Sequence, residues 1–142
     1  DTYVDELGCT IGKEVLRPTK LYVKPILPLL KEQLVKGMAH ITGGSFYDNI
    51  PRILPKGLSV TIHSDAWPVP PIFKLLQEWG HVEPKEMYHT FNMGIGMVLV
   101  VKPELVERVV EVLQAQGEVV YSIGLVTEGQ GDVTILGEAF HE

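Results

Sequence analysis

Nine consecutive residues, Met93-Gly94-Ile95-Gly96-Met97-Val98-Leu99-Val100-Val101, carry no charged or hydrogen-bonding side chain. A run this apolar reads as an interior strand covered on both faces, so the chain needs packed layers on either side of it. The flanking patterns supply them. Pro25 opens a helix with Ile26, Leu27, Leu30 and Leu34 inward and Gly37 as its stop; Pro28 falls in or just after its first turn. Pro70 and Pro71 open a second helix carrying Ile72, Phe73, Leu75, Leu76 and Trp79, ended by Gly80. Pro103 and Glu104 start a third, with Leu105/Val106, Val109/Val110 and Leu113 inward and Glu104 pairing with Arg108 one turn on.

Between these lie short strands: Lys20-Leu21-Tyr22-Val23, Met38-Ala39-His40-Ile41 and the alternating Leu58-Ser59-Val60-Thr61-Ile62-His63. Two more, over 119–126 and 133–136, close the chain around a glycine-rich turn. A helix is expected from Ser45 to Leu54 and a further helical turn or two over 83–90. The order β-α-β-α-β-α-β-α-β-β predicts an α/β (α+β) domain, a mixed β-sheet with packed helices, over residues 20–142. Residues 1–19 are polar, end in Arg17-Pro18-Thr19 and read as an irregular linker or N-terminal extension.

Composition excludes several functions. A net charge of -6 with scattered Lys and Arg argues against a nucleic-acid partner, whose phosphates need clustered basic residues. Cys9 is the only cysteine, so neither an intrachain disulfide nor a cysteine zinc cluster can form, and a reducing, cytoplasmic compartment fits. No apolar run approaches the ~18 residues of a membrane span. The start, Asp1-Thr2-Tyr3-Val4-Asp5-Glu6, lacks the basic head and apolar centre of a signal peptide and begins without Met, as expected of a piece of a longer chain or a processed one.

The segment His40-Ile41-Thr42-Gly43-Gly44-Ser45-Phe46-Tyr47-Asp48-Asn49-Ile50-Pro51-Arg52 carries the chemistry. A strand, a Gly-Gly turn and a helix start aim free backbone N–H groups and the positive end of a helix dipole at one point, which suits a phosphate. His40, Thr42, Asn49 and Arg52 surround it with polar and cationic side chains. A Gly pair alone is weak evidence, because most such pairs only make turns. It is no P-loop, since no Gly-Lys-Ser/Thr follows. Gly94-Ile95-Gly96 precedes a strand rather than opening a helix, so it reads as backbone crowding and not as a dinucleotide fingerprint. Asn92 just before it either points its amide into a site or caps the preceding helix. His63, His81, His89 and His141 show no metal-ligand spacing, and no metal site is expected.

Collinear stretches along nearly the whole chain resemble the C-terminal domain of aminoimidazole ribonucleotide synthetase, the phosphoribosylformylglycinamidine cyclo-ligases. They are Leu16-Arg17-Pro18-Thr19-Lys20-Leu21-Tyr22-Val23-Lys24-Pro25, Ala39-His40-Ile41-Thr42-Gly43-Gly44 and Asn49-Ile50-Pro51-Arg52-Ile53-Leu54-Pro55. Further on come Trp67, Pro70-Pro71-Ile72-Phe73, Leu76-Gln77, Glu86-Met87-Tyr88, Thr90-Phe91-Asn92-Met93-Gly94-Ile95-Gly96-Met97 and Ile123-Gly124.

The resemblance implies an enzyme of de novo purine synthesis in which ATP phosphorylates the formyl amide oxygen of formylglycinamidine ribonucleotide before the imidazole ring closes. It implies a homodimer and a separate N-terminal domain carrying most of the Mg-ATP contacts, with no counterpart in this sequence. On this footing His40 is the candidate for proton handling or phosphate contact. Thr42, Gly43, Gly44, Ser45, Asn49, Arg52 and Asn92 are the candidates for holding substrate and phosphate, either that of the ribonucleotide or that of ATP. The family usually has a third glycine where this chain has Ser45. Helical φ is expected there, making Ser45 an N-cap whose hydroxyl joins the site. Two other functions fit the pattern: another ATP-using enzyme of the superfamily, or a free-standing domain that binds a phosphorylated metabolite or mediates assembly.

Overall fold

The computed structural model describes residues 2–137, so Asp1 and His141 lie outside it. Two short strands, β1 (Tyr3–Val4) and β2 (Cys9–Thr10), pair antiparallel and lead into helix α1 (Ile11–Val15). The Thr10 hydroxyl caps α1, accepting from the Lys13 N–H at 3.2 Å. Residues 3–15 are therefore folded, against their irregular reading; Val4 and Cys9 sit opposite each other and are both buried.

Residues 20–23 form no strand either. Tyr22 instead precedes α2 (Val23–Lys31), and its carbonyl accepts the Ile26 N–H at 3.1 Å. Pro28 lies inside this helix, at the cost of one helical hydrogen bond. The buried stripe of α2 is Pro25, Ile26 and Leu29 rather than the expected Leu27 and Leu30, which are exposed. That stripe meets α6 (Val106–Gln114): Ile26, Leu29 and Leu34 pack with Val109 and Leu113 into a small apolar cluster. The same approach brings Arg108 to Glu32, with Nη2 3.1 Å from Oε2, while Glu104 pairs with Lys102. The expected pairing of Arg108 with Glu104 is thus replaced by a contact between helices.

Strand β3 (Val35–His40) pairs antiparallel with β5 (Met97–Val101), placing Met38 opposite Leu99 and His40 opposite Met97. Met97, Leu99 and Val101 pack against the α2–α6 cluster, and Val98 packs against the main core. β5 is therefore covered on both faces, as its sequence demands, although each of its residues stays partly exposed.

The main core joins this pair to a second sheet. There β4 (Leu58–His63) lies between β6 (Gly124–Glu128), antiparallel to it, and β7 (Val133–Leu136), parallel to it. Among the described residues the strands thus form three small sheets, of which this three-stranded one is mixed as expected, and with the packed helices they make an α+β fold. From this sheet come Val60, Ile62, Val133 and Ile135. Facing them are Phe46 and Ile50, together with Met87 and Tyr88 of α5 (Pro84–Thr90). Helix α4 (Pro71–Gly80) precedes α5, and each starts on a proline whose missing N–H costs nothing at that position.

The expected helix from Ser45 to Leu54 is split into α3 (Ser45–Asn49) and a 3₁₀ turn, Pro51–Ile53. Five residues are too few for a helix to stand by itself. Full burial of Phe46 and Ile50, worth about 1.5–3 kcal/mol each, holds it in place. Among the described residues no helix is long and apolar enough to cross a membrane.

Candidate functional site

The site grows from the end of β3. The Ile41 N–H donates to the Gly96 carbonyl at 2.9 Å, and buried Ile41 anchors the chain before the turn. In the turn, the Ser45 N–H donates to the Thr42 carbonyl at 2.8 Å and the Asp48 N–H to the Gly44 carbonyl at 3.0 Å. Of the three amides expected to cradle a phosphate, that of Ser45 is therefore committed. Those of Gly43 and Gly44 make no backbone hydrogen bond among the described residues.

Asn49 orients them. Its side chain is buried, and its amide nitrogen donates to the carbonyls of Ser45 at 2.7 Å, Gly43 at 3.2 Å and Thr42 at 3.4 Å. Each peptide here is trans, so its C=O and N–H point in opposite directions. With the Thr42 and Gly43 carbonyls turned toward Asn49, the N–H groups of Gly43 and Gly44 face away from it. Asn49 thus holds the turn open from behind rather than from the ligand side. Arg52, exposed, lies alongside with Nη1 3.4 Å from Asn49 Oδ1.

Ser45 departs from expectation. It takes φ 48°, in the left-handed region, and Gly44, at φ 80°, holds the N-cap position instead. The Ser45 hydroxyl is fully buried and donates to the Phe91 carbonyl at 2.5 Å, so it braces the loop and does not line the site. This tertiary bond holds a conformation that a serine otherwise adopts at a cost of about 1 kcal/mol or more. A Cβ on Gly44 would overlap the Asp48 carboxylate, a group that no sequence signal singles out. That negative charge flanks the turn, so an anion must come from the Gly43 side. A five-residue helix contributes little dipole, which leaves the Gly43 and Gly44 N–H groups as the electropositive feature of the turn.

Thr42 and Asn92 come together. With Ile41, Phe73, Thr90 and Phe91 they line a hollow of about 250 Å³ beside the turn. Asn92 Oδ1 accepts the Gly94 N–H at 3.0 Å, which fixes the amide at the rim. The Phe73 and Phe91 rings stand 5.9 Å apart at 52°. The sequence places Phe73 among the apolar residues of a helix and both rings in stretches that carry the family resemblance, but it gives neither a part in the site. Met93, at φ 50°, is held by the Trp67 indole N–H donating to its carbonyl at 2.9 Å. Each of the two loops thus contains one strained, buried residue. A larger hollow of about 550 Å³ borders His81, Glu83, Lys85, Glu86 and His89 but includes none of the expected site residues.

His40 stands apart. Alternation along β3 puts it on the face opposite Ala39 and Ile41. Its exposed ring meets the edge of Tyr22, 5.8 Å between centroids. Burial raises the Tyr22 pKa, partly countered by Lys20 and reinforced by Glu118, and these two form an ion pair beside it. A Cβ on Gly96 would overlap the Tyr22 hydroxyl, so this glycine serves close packing, as the crowding reading of Gly94-Ile95-Gly96 expects. Among the described residues no group of three or more His, Cys, Asp or Glu side chains could hold a metal ion.

Comparison with known proteins places these features in a family. Residues 3–137 match the family described as AIR synthase related protein, C-terminal domain. The chain is 52% identical over 135 residues to a phosphoribosylformylglycinamidine cyclo-ligase of Alkaliphilus metalliredigens, covering 95% of this chain and 39% of that one. Proteins of the same name from Shouchella clausii and Bacillus subtilis are 54% and 48% identical, over 89% and 98% of this chain and 37% and 40% of theirs. The chain thus spans about two-fifths of the length of these relatives. Among solved structures, a HypE-HypF complex contains a similar fold, with TM-score 0.62 and 20% identity over 89% of this chain and 44% of that one.

Proposed function

The chain belongs to the AIR synthase related proteins as their C-terminal domain, and from this we propose that it is the C-terminal half of an ATP-dependent cyclo-ligase of purine biosynthesis. The complete enzyme would convert formylglycinamidine ribonucleotide and ATP to aminoimidazole ribonucleotide, ADP and phosphate. What carries this reading is identity near 50% along almost the whole chain to proteins bearing that name.

The local chemistry agrees. An amide oxygen is a poor leaving group, but once phosphorylated it departs as phosphate when the amidine nitrogen closes the ring. Such a reaction asks the protein to hold anionic ligands in register and to neutralise charge. The Gly43 and Gly44 amides would bind a phosphate, with Asn49 fixing their direction. Arg52 would approach the same anion from the surface. The Thr42 hydroxyl and the Asn92 amide would orient the reacting end, and His40 would handle a proton or meet a phosphate from across the strand. ATP would supply the phosphoryl group, and Mg²⁺ would be held mainly by an N-terminal domain of the same protein, as the family resemblance implies. Val23, Leu27 and Leu30 form an exposed apolar stripe with Leu21 beside it, a surface that such a domain would cover. The complete enzyme would be a cytoplasmic homodimer.

A chimera tests the reading. This chain replaces the C-terminal part of the Bacillus subtilis relative, and conversion of formylglycinamidine ribonucleotide to aminoimidazole ribonucleotide is followed. Turnover is expected. A folded chimera that binds ATP yet forms no product would overturn the proposal.

A further inference from the structure

The hollow beside the Gly-Gly turn differs in chemistry from the turn itself. Its lining, Ile41, Thr42, Phe73, Thr90, Phe91 and Asn92, contains no ionisable side chain. Two phenyl rings, those of Phe73 and Phe91, belong to that lining, tilted at 52° with centroids 5.9 Å apart. Its polar groups are two hydroxyls and one amide. The Thr90 hydroxyl is spent on Glu86 at 3.0 Å, and Asn92 Oδ1 is spent on the Gly94 N–H. What remains on offer is the Thr42 hydroxyl and the NH₂ of Asn92. A phosphate would meet no cation and too few donors here. A flat, uncharged or weakly basic group finds an apolar ring surface against one face and hydrogen-bonding groups at its edge.

We infer that this hollow seats the planar nitrogen-containing end of the ribonucleotide, the part that becomes the five-membered ring, with Phe73 and Phe91 as packing surfaces and Asn92 as the edge contact. The inference rests on the cyclo-ligase reading for the substrate's chemistry, but it assigns that substrate a direction. The phosphate lies at Gly43 and Gly44, and the ring end lies across Thr42, the residue that borders both. Phe73 and Phe91 are therefore specificity-determining residues, favouring a flat ring over a saturated one of equal polarity.

Two probes separate the two halves of this assignment. Aminoimidazole riboside has the ring and no phosphate; ribose 5-phosphate has the phosphate and no ring. Each is titrated into the chain while the resonances of Phe73, Phe91, Asn92, Gly43 and Gly44 are followed. The riboside is expected to shift the phenylalanine and Asn92 signals, and ribose 5-phosphate those of Gly43 and Gly44. Phe73→Leu, chosen because leucine keeps the apolar bulk and spares the fold, should weaken the riboside about tenfold while leaving ribose 5-phosphate unchanged. If the riboside leaves the hollow's signals in place while ribose 5-phosphate shifts the glycines, the ring seat is overturned and the phosphate reading survives. If the riboside binds and the glycines stay silent to ribose 5-phosphate, the ring seat stands and the phosphate reading falls. Silence from both sets sinks both. Equal loss of the two probes in Phe73→Leu also rejects the ring seat, since it marks a merely structural role.

Discussion

The Ser45 hydroxyl donates to the main-chain carbonyl of Phe91 at 2.5 Å, fastening the Gly-Gly turn to the loop that carries Asn92 across 46 residues of chain. The bond is buried on the serine side and sustains a φ of 48°. Ser45→Ala keeps the strain and removes the donor, and should destabilise the chain by about 1–3 kcal/mol. Ser45→Gly also loses the bond but relieves the backbone, so it should cost about 1 kcal/mol less than alanine. Urea unfolding of the three proteins at constant slope checks the order: wild type, then glycine, then alanine. Alanine as stable as wild type would remove the bond from the account.

The contrast between expected and observed Ser45 shows where sequence reading reaches its limit. Helices α4 and α6 announce themselves through a proline at or just before the start and apolar residues at helical spacing, and β5 through an unbroken apolar run. These signals are local. The φ of Ser45 is imposed by a carbonyl 46 positions away, and Arg108 finds Glu32 at a separation of 76, so no window on the sequence contains the cause. Residues 3–15 escape for another reason: their fold rests on a buried pair, Val4 and Cys9, too small to make a periodicity. The Gly-Gly turn is legible as a turn. That its amides face outward depends on Asn49, whose inward side chain no spacing rule reveals.

Asn49 offers its NH₂ to three carbonyls at once. Asn49→Leu, similar in volume, should cost about 2–3 kcal/mol because those carbonyls lose their buried donor. Asn49→Asp should cost more, since it turns a second acceptor on them. The paired measurement is amide exchange at Ser45 and Asp48, whose N–H groups are bonded within the turn, and it should quicken in both variants by more than at Val60. Uniform quickening would mean that Asn49 only stabilises the fold.

Burial raises the pKa of Tyr22, Tyr47 and Tyr88 above the ordinary 10.0; for Tyr22 a nearby Lys20 opposes the shift, and for Tyr88 a hydrogen bond with Ser64 does. A phenol whose folded pKa is raised is neutral in both states at lower pH, and the unfolded chain ionises first as pH rises. The contribution of these groups is therefore fully present below pH 10.0 and lost as pH climbs through the raised values. Unfolding midpoints should fall in that alkaline window and not between neutral and mildly alkaline pH. Tyr47→Phe should flatten the loss in proportion. Tyrosinate absorbance appearing in the folded chain as early as in the unfolded one would contradict the assignment.

Asp48 sets a carboxylate against the Gly44 α-carbon, where it opposes an approaching anion. Asp48→Asn keeps the shape and removes the charge, so inorganic phosphate should bind the turn about threefold more tightly at low ionic strength, with the gain shrinking in high salt. Phosphate titration followed at Gly43 measures it. Weaker binding in Asp48→Asn would show that the carboxylate helps organise the ligand instead.

The two glycines of the turn separate folding from binding. At Gly44 the backbone takes φ 80° and an added Cβ would strike the Asp48 side chain, so Gly44→Ala should destabilise by about 1–3 kcal/mol. At Gly43 an added Cβ meets nothing within 4 Å, and Gly43→Ala should fold with a stability within about 0.5 kcal/mol of wild type. That open space is also where an anion would have to sit to reach the Gly43 and Gly44 N–H groups. Gly43→Ala should therefore lose ribose 5-phosphate affinity several-fold while keeping its unfolding midpoint. Unchanged affinity in a folded Gly43→Ala would mean that the anion does not use these amides, and the phosphate assignment would fall with it.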